Sequence, residues 1–216
     1  METAGRHHLL VRPSASAVTD TAPGPLSKPS MKPLAPPDSF HLQAAQGWLG
    51  LGCVAEAHAE LDQIAPQLRV HADVLELRWQ MAAEARQWEA CLEIATTLTR
   101  IDPRPPVGWI YKSQALHELK RTREAWDNLL PVADKFTQMR ADRHVIPYNL
   151  ARYGCRLGRL AEARAWLTWA FTVSSDAPAL KLRALEEPDL GTLWLAIDKM
   201  RTPVKPPVRH QWPTCV

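Results

Sequence analysis

Most of what chemistry at an active site requires is scarce in this chain. Its 216 residues include four cysteines, at positions 53, 91, 155 and 215, with no Cys-x-x-Cys pair and no histidine at metal-ligand spacing. That suggests neither a disulfide framework nor a zinc site and fits a reducing, cytoplasmic setting. No Gly-x-x-x-x-Gly-Lys phosphate loop, His-Glu-x-x-His, Gly-x-Ser-x-Gly or glycine-rich dinucleotide turn occurs, so no catalytic residue, metal or cofactor is expected. No apolar run approaches the roughly 20 residues needed to cross a bilayer. Leu9-Leu10-Val11 is too short for the apolar part of a secretory signal, so no membrane partner is expected.

Charge of one sign is also missing from the body. The chain carries 26 basic and 23 acidic side chains, but residues 41–200 hold 19 and 20, which places the basic surplus in the two ends. Binding to a phosphate backbone needs a concentrated basic face. Nucleic acid is therefore not expected as a partner.

Proline is present in quantity, and mostly at the ends. Residues 1–37 contain seven prolines among Ser, Thr and Ala, too little apolar surface to offset the entropy of ordering them. This stretch and the basic, proline-containing residues 201–216 read as disordered tails. Pro33-Leu-Ala-Pro36 matches a loose Pro-x-x-Pro pattern, which arises by chance in any such stretch.

Between the tails the pattern is helical. Asp38 or Ser39 is placed to cap a first helix, whose stripe is Phe40, Ala44, Ala45 and Trp48. Gly52 breaks it, and a second helix carries Ala57, Leu61 and Ile64 before Pro66. Further hairpins follow. The second has Val74, Leu77 and Met81, then Ala90, Ile94 and Thr97 or Leu98, with Arg86-Gln87-Trp88 in place of a turn glycine. The third has Trp109, Ser113 and Leu116, then Ala125, Leu129 and Val132, joined by the basic turn Lys120-Arg121-Thr122-Arg123, read as a solvated loop. The fourth has Pro147, Leu150 and Ala151, then Ala163, Leu167 and Ala170 after the turn at Gly158.

Glu-Ala pairs at 56, 89, 124 and 162 open the second helices, spaced by 33, 35 and 38 residues, a helical-repeat period. The leading alanine lets two helices approach closely, and the large residue one turn later fills the remaining space. Four units are expected at about 38–70, 71–104, 105–140 and 144–178, with Thr137 to Arg143 as a polar loop. A pair of capping helices over 179–200, one from Ala179 to Leu185 and one from Pro188 to Lys199, would cover the last open face.

A small residue and Gly near the first helix end, Ala-x-x-x-large in the second helix and Asp-Pro between units resemble the tetratricopeptide repeat (TPR) family. The resemblance covers residues 38 to about 178. It departs from the pattern at Lys112, in the missing second turn glycine and in the uneven spacing. It implies an all-α superhelix, a solenoid of antiparallel hairpins, with a concave groove lined by first helices that binds a partner peptide or helix. Carried over unit by unit, the groove positions are Leu42, Gln46 and Leu49; Leu75 and Trp79; Ile110, Gln114 and His117; and Tyr148, Arg152 and Arg156. That groove would be apolar at one end and cationic at the other, suited to a ligand with apolar side chains and a carboxylate. The family's carboxylate clamp needs Lys and Asn where Leu42 and Gln46 stand, so chaperone binding is not implied.

Of nine tryptophans, Trp48, Trp109 and Trp194 fall on core stripes. Trp126, Trp166 and Trp169 would fill spaces between units. His117 with Glu118, or Cys155 with His144, could be imagined as reactive pairs, but a core or surface role fits each better. The chain thus reads as a non-enzymatic protein-binding scaffold, of unknown oligomeric state.

Overall fold

The computed structural model describes residues 33–104, 106–136 and 144–200. The expected tails, apart from residues 33–37, and the expected loop at 137–143 lie outside them. The described residues form ten α-helices and no strand. The helices are α1 (Asp38–Gly50), α2 (Val54–Gln63), α3 (Ala72–Glu84), α4 (Trp88–Ile101), α5 (Val107–Glu118), α6 (Thr122–Phe136), α7 (Val145–Arg156), α8 (Leu160–Val173), α9 (Ala177–Glu186) and α10 (Trp194–Ile197). Short 3-10 segments stand at Pro66–Leu68 and Pro188–Leu193. No helix among them is long and apolar enough to cross a membrane.

Each first helix ends in the same way. The residue at the turn adopts a left-handed backbone: Gly52 (φ 78°), Arg86 (56°), Lys120 (65°) and Gly158 (75°), spaced by 34, 34 and 38. The next N–H closes back on a carbonyl five residues earlier, Cys53 to Trp48, Gln87 to Ala82, Arg121 to Leu116 and Arg159 to Gly154, at 2.8–2.9 Å. These bonds satisfy carbonyls that a helix end leaves free. The glycines adopt this backbone without a Cβ penalty, whereas Arg86 and Lys120 carry it.

Counting from these turns corrects the second unit. The fully buried small residues that open the second helices are Ala57, Cys91, Ala125 and Ala163, followed by Leu61, Ala95, Leu129 and Leu167. Ala90 and Ile94, read from the sequence as the packing residues, are only half-buried. The Glu-Ala pair at 89 is one residue out of step with the others.

The chain divides into two compact units between Met81 and Ala82, within α3. In the first, Leu42, Ala45, Ala57, Leu61, Ile64, Val74, Leu77 and Met81 form a core against which Leu34, Leu49 and Leu68 pack. Leu34 therefore belongs to the folded unit rather than to a tail. Asp38 does not cap α1. Its Oδ1 accepts from Ala65 N–H at 2.7 Å and ties the helix start to the end of the hairpin. Phe40 and Trp48, assigned to the core stripe, are exposed at 61% and 38%, and only Ala45 of that stripe is buried.

In the second unit α4 packs on α5, α5 on α6, α6 on α7 and α7 on α8, with α9 and α10 following. The contact of α7 with its neighbours is close. A methyl group added at Gly154 would stand 3.0 Å from Ala163 Cβ and 3.2 Å from Trp126 Cζ3. Trp126, Trp166 and Trp169 are buried, and Trp126 fills the space between α6 and α7 beneath the Arg159 guanidinium, 5.0 Å from its ring centroid. Trp194 is partly exposed, its indole N–H shared between the Ala184 and Glu187 carbonyls. The second capping helix is mostly a 3-10 segment, and this segment lies against α7.

Candidate functional site

The 3-10 segment reaches α7 with a run of acids. Glu186-Glu187-Pro188-Asp189-Leu190 leaves α9, turns at Pro188 and inserts Leu190, which is fully buried. The Glu187 carboxylate accepts from the Asp189 N–H at 3.3 Å, which opens the segment. Both carboxylates then meet cations from the first helices. Arg152 of α7 is buried; its Nη2 donates to Asp189 Oδ2 at 2.9 Å and its Nε stands 3.2 Å from Glu187 Oε2. Its Nη1 lies 3.5 Å from Asn149 Oδ1. One turn later Arg156, 56% exposed, holds Asp189 Oδ1 at 3.7 Å.

His117 of α5 completes the cluster. Its Nε2 donates to Asp189 Oδ2 at 2.8 Å, and its Nδ1 lies 3.1 Å from the Thr122 hydroxyl. Its ring stacks at a tilt on Tyr153, centroids 4.7 Å apart, and the Tyr153 hydroxyl donates to Ser113 at 3.4 Å. So α5 and α7 are joined by a buried polar seam whose outer end binds a carboxylate. Burial opposes charge on Asp189, but the His117 bond and the Arg152 guanidinium outweigh it and hold this carboxyl well below the usual range. Burial likewise works against Arg152, and Glu187, followed by Tyr153 and Asp189, reverses the direction. The buried Tyr148 hydroxyl makes no hydrogen bond, and burial together with the nearby Glu187 raises its pKa.

Ile110, Gln114, His117, Tyr148 and Arg152 are thus brought onto the adjoining helices α5 and α7, but all five are buried, and Arg156 alone of the second-unit candidates is exposed. In the first unit Leu42 is buried, Leu49 is half-buried and Gln46 is exposed. The register shift moves the remaining pair. Trp79 stands seven residues before its turn, where Ala45, Ser113 and Ala151 are core residues, and it is fully buried, as Leu75 nearly is. Six residues before each turn stand Gln46, Gln80, Gln114 and Arg152, so Gln80 is the matching residue that sequence reading passed over.

Glu76, ten before its turn where Leu42, Ile110 and Tyr148 stand, has its pKa raised to about 7 by burial and then by the charge of Asp73. The imagined reactive pairs do not assemble. His144 and Cys155 lie at opposite ends of α7, about 16 Å apart along the axis. Cys155 instead bonds the Thr192 side chain, and burial raises its thiol pKa. The His117 ring turns to Asp189 and Thr122. In the basic turn, Arg121 makes two 2.7 Å bonds to Glu124 and Arg123 bonds Asp127 at 3.1 Å, as a solvated face does.

Asp189 and Glu187 were not foreseen. Their only sequence signal is a run of three acids around a proline facing a chain that otherwise offers Arg152 and Arg156 no acid at helical spacing. No family model matches the chain, and no curated protein and no solved structure matches it significantly.

Proposed function

We propose that the chain is a TPR-type array of helix hairpins acting as a non-enzymatic protein-interaction module. It binds a partner peptide or helix along the surface of its first helices. The observation that carries this reading is the acidic segment already seated on α5 and α7: Glu187 and Asp189 bind Arg152, Arg156 and His117 while Leu190 buries beside them. A surface that holds two carboxylates and an apolar side chain of its own chain has the chemistry to bind such groups from another.

The buried Arg152 serves the chain's own cap. Arg156, exposed and held only at 3.7 Å, is the cation left for a partner's carboxylate. Affinity capture by the full chain from its native extract tests this. A saturable protein partner is expected, with retention falling on Arg156→Glu while helical circular dichroism is kept and the melting temperature drops only slightly, from loss of the exposed Asp189 contact. Equal retention by the two chains would remove the surface from the binding site.

A further inference from the structure

The outward face of α1 points to a second copy of this chain. Phe40 and Trp48 stand twelve and four residues before the first turn. The matching residues of the other hairpins, Val74, Gly108 and Ile146, and Ala82, Leu116 and Gly154, are all buried. In the second unit the reason is visible. A methyl group at Gly108 would meet Leu98 and Thr99 of α4, and one at Gly154 would meet Trp126 of α6, the second helix of the preceding hairpin in each case. No hairpin precedes α1 among the described residues. Its two aromatic side chains occupy positions built for helix packing and are exposed, with Leu51 beside them at 75%.

The composition of this face suits its own copy. Phe40, Ala44, Gly47, Trp48 and Leu51 form one stripe with no ionisable group. The helix has two such groups, and both are engaged elsewhere: Asp38 with the Ala65 N–H and His41 with Glu60 at 2.8 Å. Across a two-fold axis every residue near the centre faces itself or its neighbours, so a charge there would meet its like. An uncharged stripe avoids that repulsion, and charge depletion with aromatic enrichment marks the centre of protein interfaces.

The spacing also fixes a pairing. We propose that two copies associate through antiparallel α1 helices, with Ala44 on the two-fold axis and Phe40 of each copy packed on Trp48 of the other. Ala44 is small enough for close approach, and a side chain at Gly47 would meet nothing within 4 Å, which leaves room for the partner's aromatic ring.

Sedimentation equilibrium of the full chain tests this. A dimer is expected, and Phe40→Lys or Trp48→Glu alone weakens it by about tenfold or more without loss of helical circular dichroism. Mixing the two variants restores a dimer, because the introduced ammonium of one copy then faces the introduced carboxylate of the other. Several results overturn the proposal. They are a dimer insensitive to both substitutions, failure of the mixture to recover, and mass that grows without limit in place of a dimer. A full chain monomeric at every concentration also overturns it. If Phe40→Lys then lowers the melting temperature, a segment of the same chain covers the face; if it does not, the face is left to a different protein.

Discussion

At Lys120 the backbone turns with φ of 65°, and at Arg86 with φ of 56°, where the first and last hairpins use glycine. A side chain in this region costs about 1–2 kcal/mol relative to a right-handed residue, and glycine relieves most of it. Lys120→Gly and Arg86→Gly should therefore each stabilise the fold by roughly 0.5–1 kcal/mol in thermal or denaturant unfolding, and Gly158→Ala should destabilise it by a similar amount. Gly154 and Ala163 are governed by contact instead, since a methyl at Gly154 would stand 3.0 Å from Ala163 Cβ. Ala163→Leu should cost about 1–3 kcal/mol through overpacking. Glu76 adds a pH dependence. Its folded pKa of about 7 lies above the ordinary carboxylate value, so its contribution is fully present below about pH 4.5 and lost as pH rises through 7. Glu76→Gln should leave stability unchanged near pH 4 and raise it by on the order of 1–2 kcal/mol at pH 8, allowing for the group's partial exposure.

Among elements, the segment after α9 is held by ionic bonds in a buried setting. Removing one member of such a set leaves a desolvated charge without its partner, which costs about 3–5 kcal/mol. Arg152→Met should thus destabilise the second unit severely, and Arg156→Ala, at an exposed position, by about 1 kcal/mol or less. Asp189 has its pKa depressed, so its stabilisation is present above the ordinary carboxylate range and lost as pH falls through the folded value. Acid titration should therefore loosen this segment below about pH 4, read by the emission of Trp194, whose indole bonds the Ala184 and Glu187 carbonyls. The elements divide in how far the sequence disclosed them. The second helices of three hairpins were legible because their stripes are local: Ala125, Leu129 and Val132 lie within two turns of one another. The second hairpin slipped by one residue because a left-handed arginine leaves no compositional mark and Glu-Ala is a common surface pair. Phe40 and Trp48 looked like core because an inter-hairpin stripe has the same spacing whether or not a neighbour covers it. Asp189 was missed because its bond to Arg152 spans 37 residues, and no periodicity carries information over that distance.

On the scale of the whole chain, hairpins of one design do different work at different places. The first exposes aromatic residues where the others pack, and the last is closed by an acidic segment that neutralises its arginines. Within the near-neutral body the cations of α7 are matched by acids brought from the sequence beyond α9. The exposed guanidinium of Arg156, held loosely at 3.7 Å from Asp189, and the uncharged aromatic stripe on α1 are the places where other molecules are proposed to bind. The most direct measurement is the affinity of the captured partner, by isothermal titration, for the full chain and for Arg156→Glu. A loss of about tenfold or more with helical circular dichroism retained is the predicted result. Equal affinity for the two chains would contradict binding along the first helices.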